Sequence, residues 1–324
     1  MALAPHTSPA GDEPVNLLAL DGGGIRGVSE LLILDEIMRR VQCDSNLAEM
    51  PLPCDYFDLI GGTSTGGLIA LMLGRLRMTT DEALRTYNSL ARAIFSKDNK
   101  ERLGQDGAFK ATTLQNKVQE VVSKKGLGEL MLDPSNDLRR GKAFVCAVPA
   151  NSMAYPRLFR TYPVRALASA NCRIWEAARA TTAAPTFFKH IAIGGKVLEE
   201  ARNIFGNDRL VRCLISIGTG HPGTIGLAKP DAFQKVLPTK LISETANGLS
   251  ARFKDLEKFY FRFNVAHGAE GISLEEWDKM GELTEHTKAY MAEVSVSKAI
   301  DEVVDMLCNP REVRVTLGSV CQLV

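Results

Sequence analysis

Two glycine-rich elbows constrain this chain more than any other feature: Asp21-Gly22-Gly23-Gly24-Ile25-Arg26-Gly27 and Gly61-Gly62-Thr63-Ser64-Thr65-Gly66-Gly67. Each lies between a short apolar run and a helix-spaced one. Val15–Leu20 and Phe57–Ile60 read as buried strands. Val28–Val41 carries apolar residues at near-helical spacing, and Leu68–Leu73 is apolar on every face, as in a central buried helix. Strand, glycine turn and helix, met twice, call for parallel strands, because a parallel pair needs a long crossover and that crossover covers the sheet.

The rest of the chain fits the same plan. Thr80–Ile94 and Thr113–Val122 read as amphipathic helices, Ala143–Val148 as a strand, Ile174–Ala180 as a short helix, Phe187–Ile193 as a strand, Val197–Phe205 as a helix and Leu210–Ile217 as a strand. Beyond them come a helical Thr239–Leu256, a β-rich Phe259–Val265, and helices within Glu275–Glu293 and Ser297–Leu307. The fold class expected is an α/β three-layer sandwich with a mostly parallel sheet. No Pro-, Gly- or Ser-rich linker divides the chain, so one domain over 15–308 is expected, with tails at 1–14 and 309–324.

Composition excludes several functions. A formal net charge of +1, with no long basic block, gives no electrostatic basis for binding nucleic acid. The seven cysteines are scattered and never spaced C-x-x-C, which argues against a disulfide framework or a zinc site and for reduced thiols in the cytoplasm. No acidic calcium loop is present, so neither a metal nor a cofactor is expected. The first fourteen residues lack the basic and apolar regions of a secretory signal, and no uncharged stretch is long enough to span a bilayer. Cys321-Gln322-Leu323-Val324 has the C-a-a-X shape of a prenylation signal, but Gln322 is not aliphatic, valine is an unusual last residue, and no polybasic run precedes it.

The elbows also carry chemistry. Gly62-Thr63-Ser64-Thr65-Gly66 is a G-x-S-x-G sequence in a strand-turn-helix setting, where small flanking residues let a sharp turn expose one hydroxyl. Ser64 is the candidate nucleophile. Acyl transfer also needs N–H donors aimed at the oxygen that becomes negative, and Gly22, Gly23 and Gly24 allow backbone donors to converge without Cβ obstruction before a helix beginning near Gly27. Two competing readings stand beside this one. Gly22, Gly24 and Gly27 also fit a G-x-G-x-x-G dinucleotide fingerprint, although no second strand ending in an acid follows Val28–Val41. A Ser-acid-His order would draw on His190, His221, His267 or His286, of which His221 follows the glycine-rich end of a strand.

The two elbows, in this order and on these elements, resemble the patatin-like phospholipase family, from about Asn16 to near Cys308. The resemblance implies an acyl hydrolase with a Ser-Asp dyad: Ser64 as nucleophile, Gly62, Thr63, Thr65 and Gly66 as its elbow, Gly22, Gly23, Gly24 and Gly27 as the oxyanion loop with Gly23 and Gly24 as donors, and Arg26 as a supporting cation. It further implies a phospholipid or acylglycerol substrate met at a membrane surface, without metal. The family's third motif, Asp followed by two small residues, is not found where the resemblance puts it, after the Ala183-Ala184-Pro185-Thr186 stretch. Ala183-Ala184-Pro185-Thr186 matches the approach to it, but either Ile193-Gly194-Gly195 stands in its place with isoleucine for the acid, or the segment is skipped. Glu199, Glu200 and Asp208 are the nearest acids; the first two fall in an amphipathic helix and the third in a turn, and none takes the role by resemblance. A catalytically dead binding protein is therefore the alternative to a hydrolase.

Overall fold

A computed structural model describes residues 13–96, 99, 110–133, 141–148, 156–164, 171–182, 193–220, 248–256, 258–265, 272, 275–309 and 312–324. Its centre is β1 (Val15–Leu20), buried along its whole length. Parallel neighbours flank it: β2 (Leu59–Thr63) with β3 (Lys142–Ala147) beyond on one side, β5 (Val211–Gly218) with β6 (Tyr260–Asn264) on the other. An antiparallel edge strand, β4 (Arg157–Arg160), closes the order β4-β3-β2-β1-β5-β6. The apolar runs expected to be strands are those buried on both faces. β4 reads Arg-Leu-Phe-Arg, is half exposed, and left no such run to find.

Strand alternation splits the core in two. Leu18 and Leu20 face one side with Ile60, Val145 and Ile215, under α1 (Gly27–Asp44) and its neighbours. Leu17 and Ala19 face the other with Leu59, Phe144 and Leu214. Among the described residues, further helices in chain order include α2 (Pro53–Tyr56), α3 (Ser64–Ala70), α4 (Thr80–Ile94), α5 (Ala111–Lys125), α6 (Ile174–Thr182), α7 (Ile193–Phe205), α8 (Met280–Ala292), α9 (Val294–Cys308) and α10 (Leu317–Cys321). The second face is covered by α7 and α10, so the chain is a three-layer α/β/α sandwich.

Two expectations change. Ile193, read as the end of a strand, opens α7: Ile193, Val197, Leu198 and Ala201 form one buried helical stripe that runs across Gly194 and Gly195. The rest of the 187–193 strand lies outside the described residues. The 309–324 segment is more than a tail, because Leu317 and Val320 are fully buried and Thr316 bridges Leu210. Among the described residues, no helix is long and apolar enough to cross a membrane.

Candidate active site

Ser64 sits where β2 turns into α3, with φ of 54°, in the left-handed region that non-glycine residues enter at a cost of about 1–2 kcal/mol. What holds it there is on both sides. Its N–H donates to Thr181 Oγ1 at 2.9 Å, and Thr181 in turn donates to the Cys146 carbonyl at 2.7 Å, tying the strained residue to α6 and β3. The flanking glycines permit the close approach: a Cβ on Gly66 would lie 2.5 Å from the Leu20 carbonyl and 2.7 Å from the Gly22 nitrogen. The serine elbow is thus pressed against the end of β1, where the glycine loop starts. α3 continues through a π-type turn at Leu71–Arg75, and Gly74 lets it lie close on β3, since a Cβ there would stand 2.6 Å from Ala143 Cβ.

The loop has φ of 77° at Gly22 and 58° at Gly24. Its donors are not equivalent. Gly22 N–H donates to Glu30 Oε1 at 2.8 Å, and Gly23 N–H to Thr65 Oγ1 at 2.9 Å. Of the two donors expected from the sequence, Gly23 is therefore engaged by the residue next to Ser64. Among the described residues the Gly24 N–H and the Ser64 hydroxyl have no partner. Tyr87 OH donates to the Gly24 carbonyl and fixes that peptide, and a Cβ on Gly27 would overlap the same hydroxyl. Arg26 is almost fully buried and donates from Nη2 to the Ile272 carbonyl at 2.7 Å; burial lowers its pKa.

The acids nearest the loop are already bonded. Asp21 pairs with Arg262 at 2.5 Å, and Arg262 also donates to Ser216 Oγ at 2.7 Å. Glu30 is completely buried; burial pushes its carboxyl well above the usual range, against the pull of the Gly22 N–H, and its second oxygen has no partner among the described residues. Sequence reasoning missed this residue, although the signal was there: Glu30 shares the stripe of Leu34, Ile37 and Val41 and so lies on the buried side of α1.

Among the described residues, the remaining candidates for a base do not converge on Ser64. Glu200 is buried in an ion pair with Arg160, at 2.5 Å, and accepts from Tyr162 OH. Glu199 pairs with Lys196 on the surface. Asp208 precedes β5, at the opposite end of the sheet from the elbow that follows β2; eight parallel residues separate those ends by about 25 Å. His286 is on the surface beside Glu282, while His190, His221 and His267 lie outside the described residues. Burial pushes the Cys54, Cys146 and Cys213 thiols to about 12, which removes them as rival nucleophiles.

A strand-turn-helix serine packed on a glycine loop, within a largely parallel three-layer sheet, defines the class: an α/β protein with a serine on a strand-to-helix elbow. The Gly22 N–H is held by the Glu30 carboxyl and so is not offered to a ligand phosphate. The family model described as patatin-like phospholipase matches residues 18–208. The calcium-independent phospholipase A2-gamma of Rattus norvegicus is 26% identical over 85% of this chain and 38% of its own length, phospholipase A I of Arabidopsis thaliana 25% over 82% and 25%, and patatin-01 of Solanum tuberosum 30% over 58% and 47%. The chain belongs to the patatin-like phospholipase family. It spans less than half the length of these curated relatives.

Proposed function

We propose that this chain is a lipid acyl hydrolase that cleaves phospholipid or acylglycerol esters through an acyl-Ser64 intermediate, at a rate limited because no Asp-Gly-Gly or Asp-Gly-Ala follows Ala183-Ala184-Pro185-Thr186. The observation that carries the reading is the left-handed Ser64 pressed against a glycine loop whose Gly24 N–H has no partner among the described residues. Ser64 Oγ attacks the ester carbonyl, and the developing oxyanion accepts from the Gly24 N–H beside the positive end of α3. The alcohol portion leaves with a proton, and water then hydrolyses the acyl-serine to release fatty acid. The names of the relatives support a lipid substrate and independence from calcium. Contact with the lipid surface follows from that substrate, with the protein cytoplasmic and peripheral.

The serine proton has no assigned acceptor. General-base catalysis contributes roughly 10²–10⁴ in rate, so turnover falls below that of a relative with an intact dyad by about this factor, with water as base. Labelling with a fluorophosphonate tests the reading: the wild-type chain labels, Ser64→Ala does not, and EDTA leaves labelling and esterase turnover intact. A wild-type chain that never labels is the dead binding protein of the alternative reading. Turnover equal to that of an intact relative, lost in Ser64→Ala, overturns the limited-rate part and requires another base.

A further inference from the structure

We propose that Arg262 and Thr219, which lie outside the family-matched residues 18–208, are positioning residues that hold the glycine loop in the geometry acyl transfer needs. A loop with glycines at positive φ has unusual conformational freedom, and a donor misplaced by about 1 Å costs up to roughly 10²-fold in rate, so aim must come from anchors. Several lie on the β5 and β6 side. Asp21, immediately before the glycines, gives its N–H to the Ile217 carbonyl and accepts with its carboxylate from Arg262 Nη2, while Arg262 Nη1 donates to Ser216 Oγ. Gly218 leaves the space this guanidinium fills, because a Cβ there would overlap it. Thr219 Oγ1 donates to the Gly22 carbonyl at 3.1 Å and packs where a Cβ on Gly23 would stand. After the glycines, Arg26 is fixed by the Ile272 carbonyl. Burial alone would lower the Arg262 pKa, but Asp21 and Tyr260 hold it above its ordinary value, so the anchor stays cationic.

The inference rests on the hydrolase reading for its kinetic consequence and on geometry alone for the loop. Two readouts keep them apart. In Arg262→Met, amide exchange of the Leu20–Ile25 backbone should quicken about tenfold or more with that of α1 unchanged, and phosphonylation of Ser64 should slow about 10- to 100-fold, through kcat rather than KM where turnover is measurable. Arg262→Lys should restore part of both, since the ammonium keeps the charge for Asp21 but not the planar bridge to Ser216. Should Arg262→Met fail to fold, Thr219→Val removes one hydroxyl at constant shape and should show the same pattern more weakly. Loop exchange and labelling within twofold of wild type in the folded variants overturn the proposal. If wild type does not label, the hydrolase reading fails, and the exchange data still decide the positioning role.

Discussion

At Gly22 and Gly24 the backbone takes φ of 77° and 58° between the end of β1 and α1, whereas Gly194 and Gly195 lie in the first turn of α7, neither with positive φ. Both segments are small-residue runs in the order the family's motifs would have them. In the first, left-handed backbone and a close neighbour require glycine, and the Gly23 N–H is given to Thr65 of the serine elbow. In the second, the helix simply tolerates it: a Cβ at Gly194 would meet Leu249 at 3.3 Å and one at Gly195 would meet the terminal Val324 at 3.1 Å. A glycine pair is thus a functional motif only where the chain turns at the carboxyl end of a strand. The in-register reading of Ile193-Gly194-Gly195 as an altered dyad motif does not survive this placement.

The contrast breaks most easily at Gly24. Gly24→Val should slow fluorophosphonate labelling of Ser64 by about 10²–10³, the loss typical of one oxyanion donor, and full labelling would remove the loop from the site. Ile193→Asp sharpens the other side. Ile193 is fully buried with Leu17 and Val197 neighbours in the same core, so an aspartate there should lower stability by on the order of 3 kcal/mol, read by denaturant melts, and should not raise esterase turnover. Activation by this substitution would restore the altered-motif reading.

Glu30→Gln examines the loop's buried support. A carboxyl whose folded pKa is raised keeps its proton in the folded state while the unfolded chain loses it, so wild-type stability falls as pH rises above the ordinary glutamate value of about 4.3. Glutamine keeps an acceptor for the Gly22 N–H without that penalty. The stability of the variant relative to wild type should therefore grow with pH from 5 upward, by at most about 1.4 kcal/mol per unit, in melts at successive pH values. A difference that is flat with pH would show Glu30 ionised alongside Arg262. The smallest change is Gly195→Ala, expected to raise stability by about 0.5 kcal/mol with labelling unchanged, provided Val324 gives way by a few tenths of an ångström.

Parallel strands buried on both faces declare themselves as unbroken apolar runs, so β1, β2, β3 and β5 and the helices between them were legible from residue order, as were the serine elbow and the glycine loop beside their strands. Those signals are local: a period, a run, a turn. The edge strand β4 carries none, and α10 is too short to show one, so both waited for the packing that buries them. The same division holds within the site. Sequence alone determined which serine lies in a G-x-S-x-G turn after a strand and that isoleucine, not aspartate, precedes Gly194-Gly195. Only the tertiary structure decided that Gly22 and Gly23 give their N–H groups to Glu30 and Thr65, that Asp208 lies at the wrong end of the sheet, and that Arg262, 241 residues along the chain from Asp21, anchors the loop. The physical reason is one of range. Propensity and periodicity act over a few residues, whereas a hydrogen-bond partner is chosen by which strands and helices are pressed together, and that choice is made by the core as a whole.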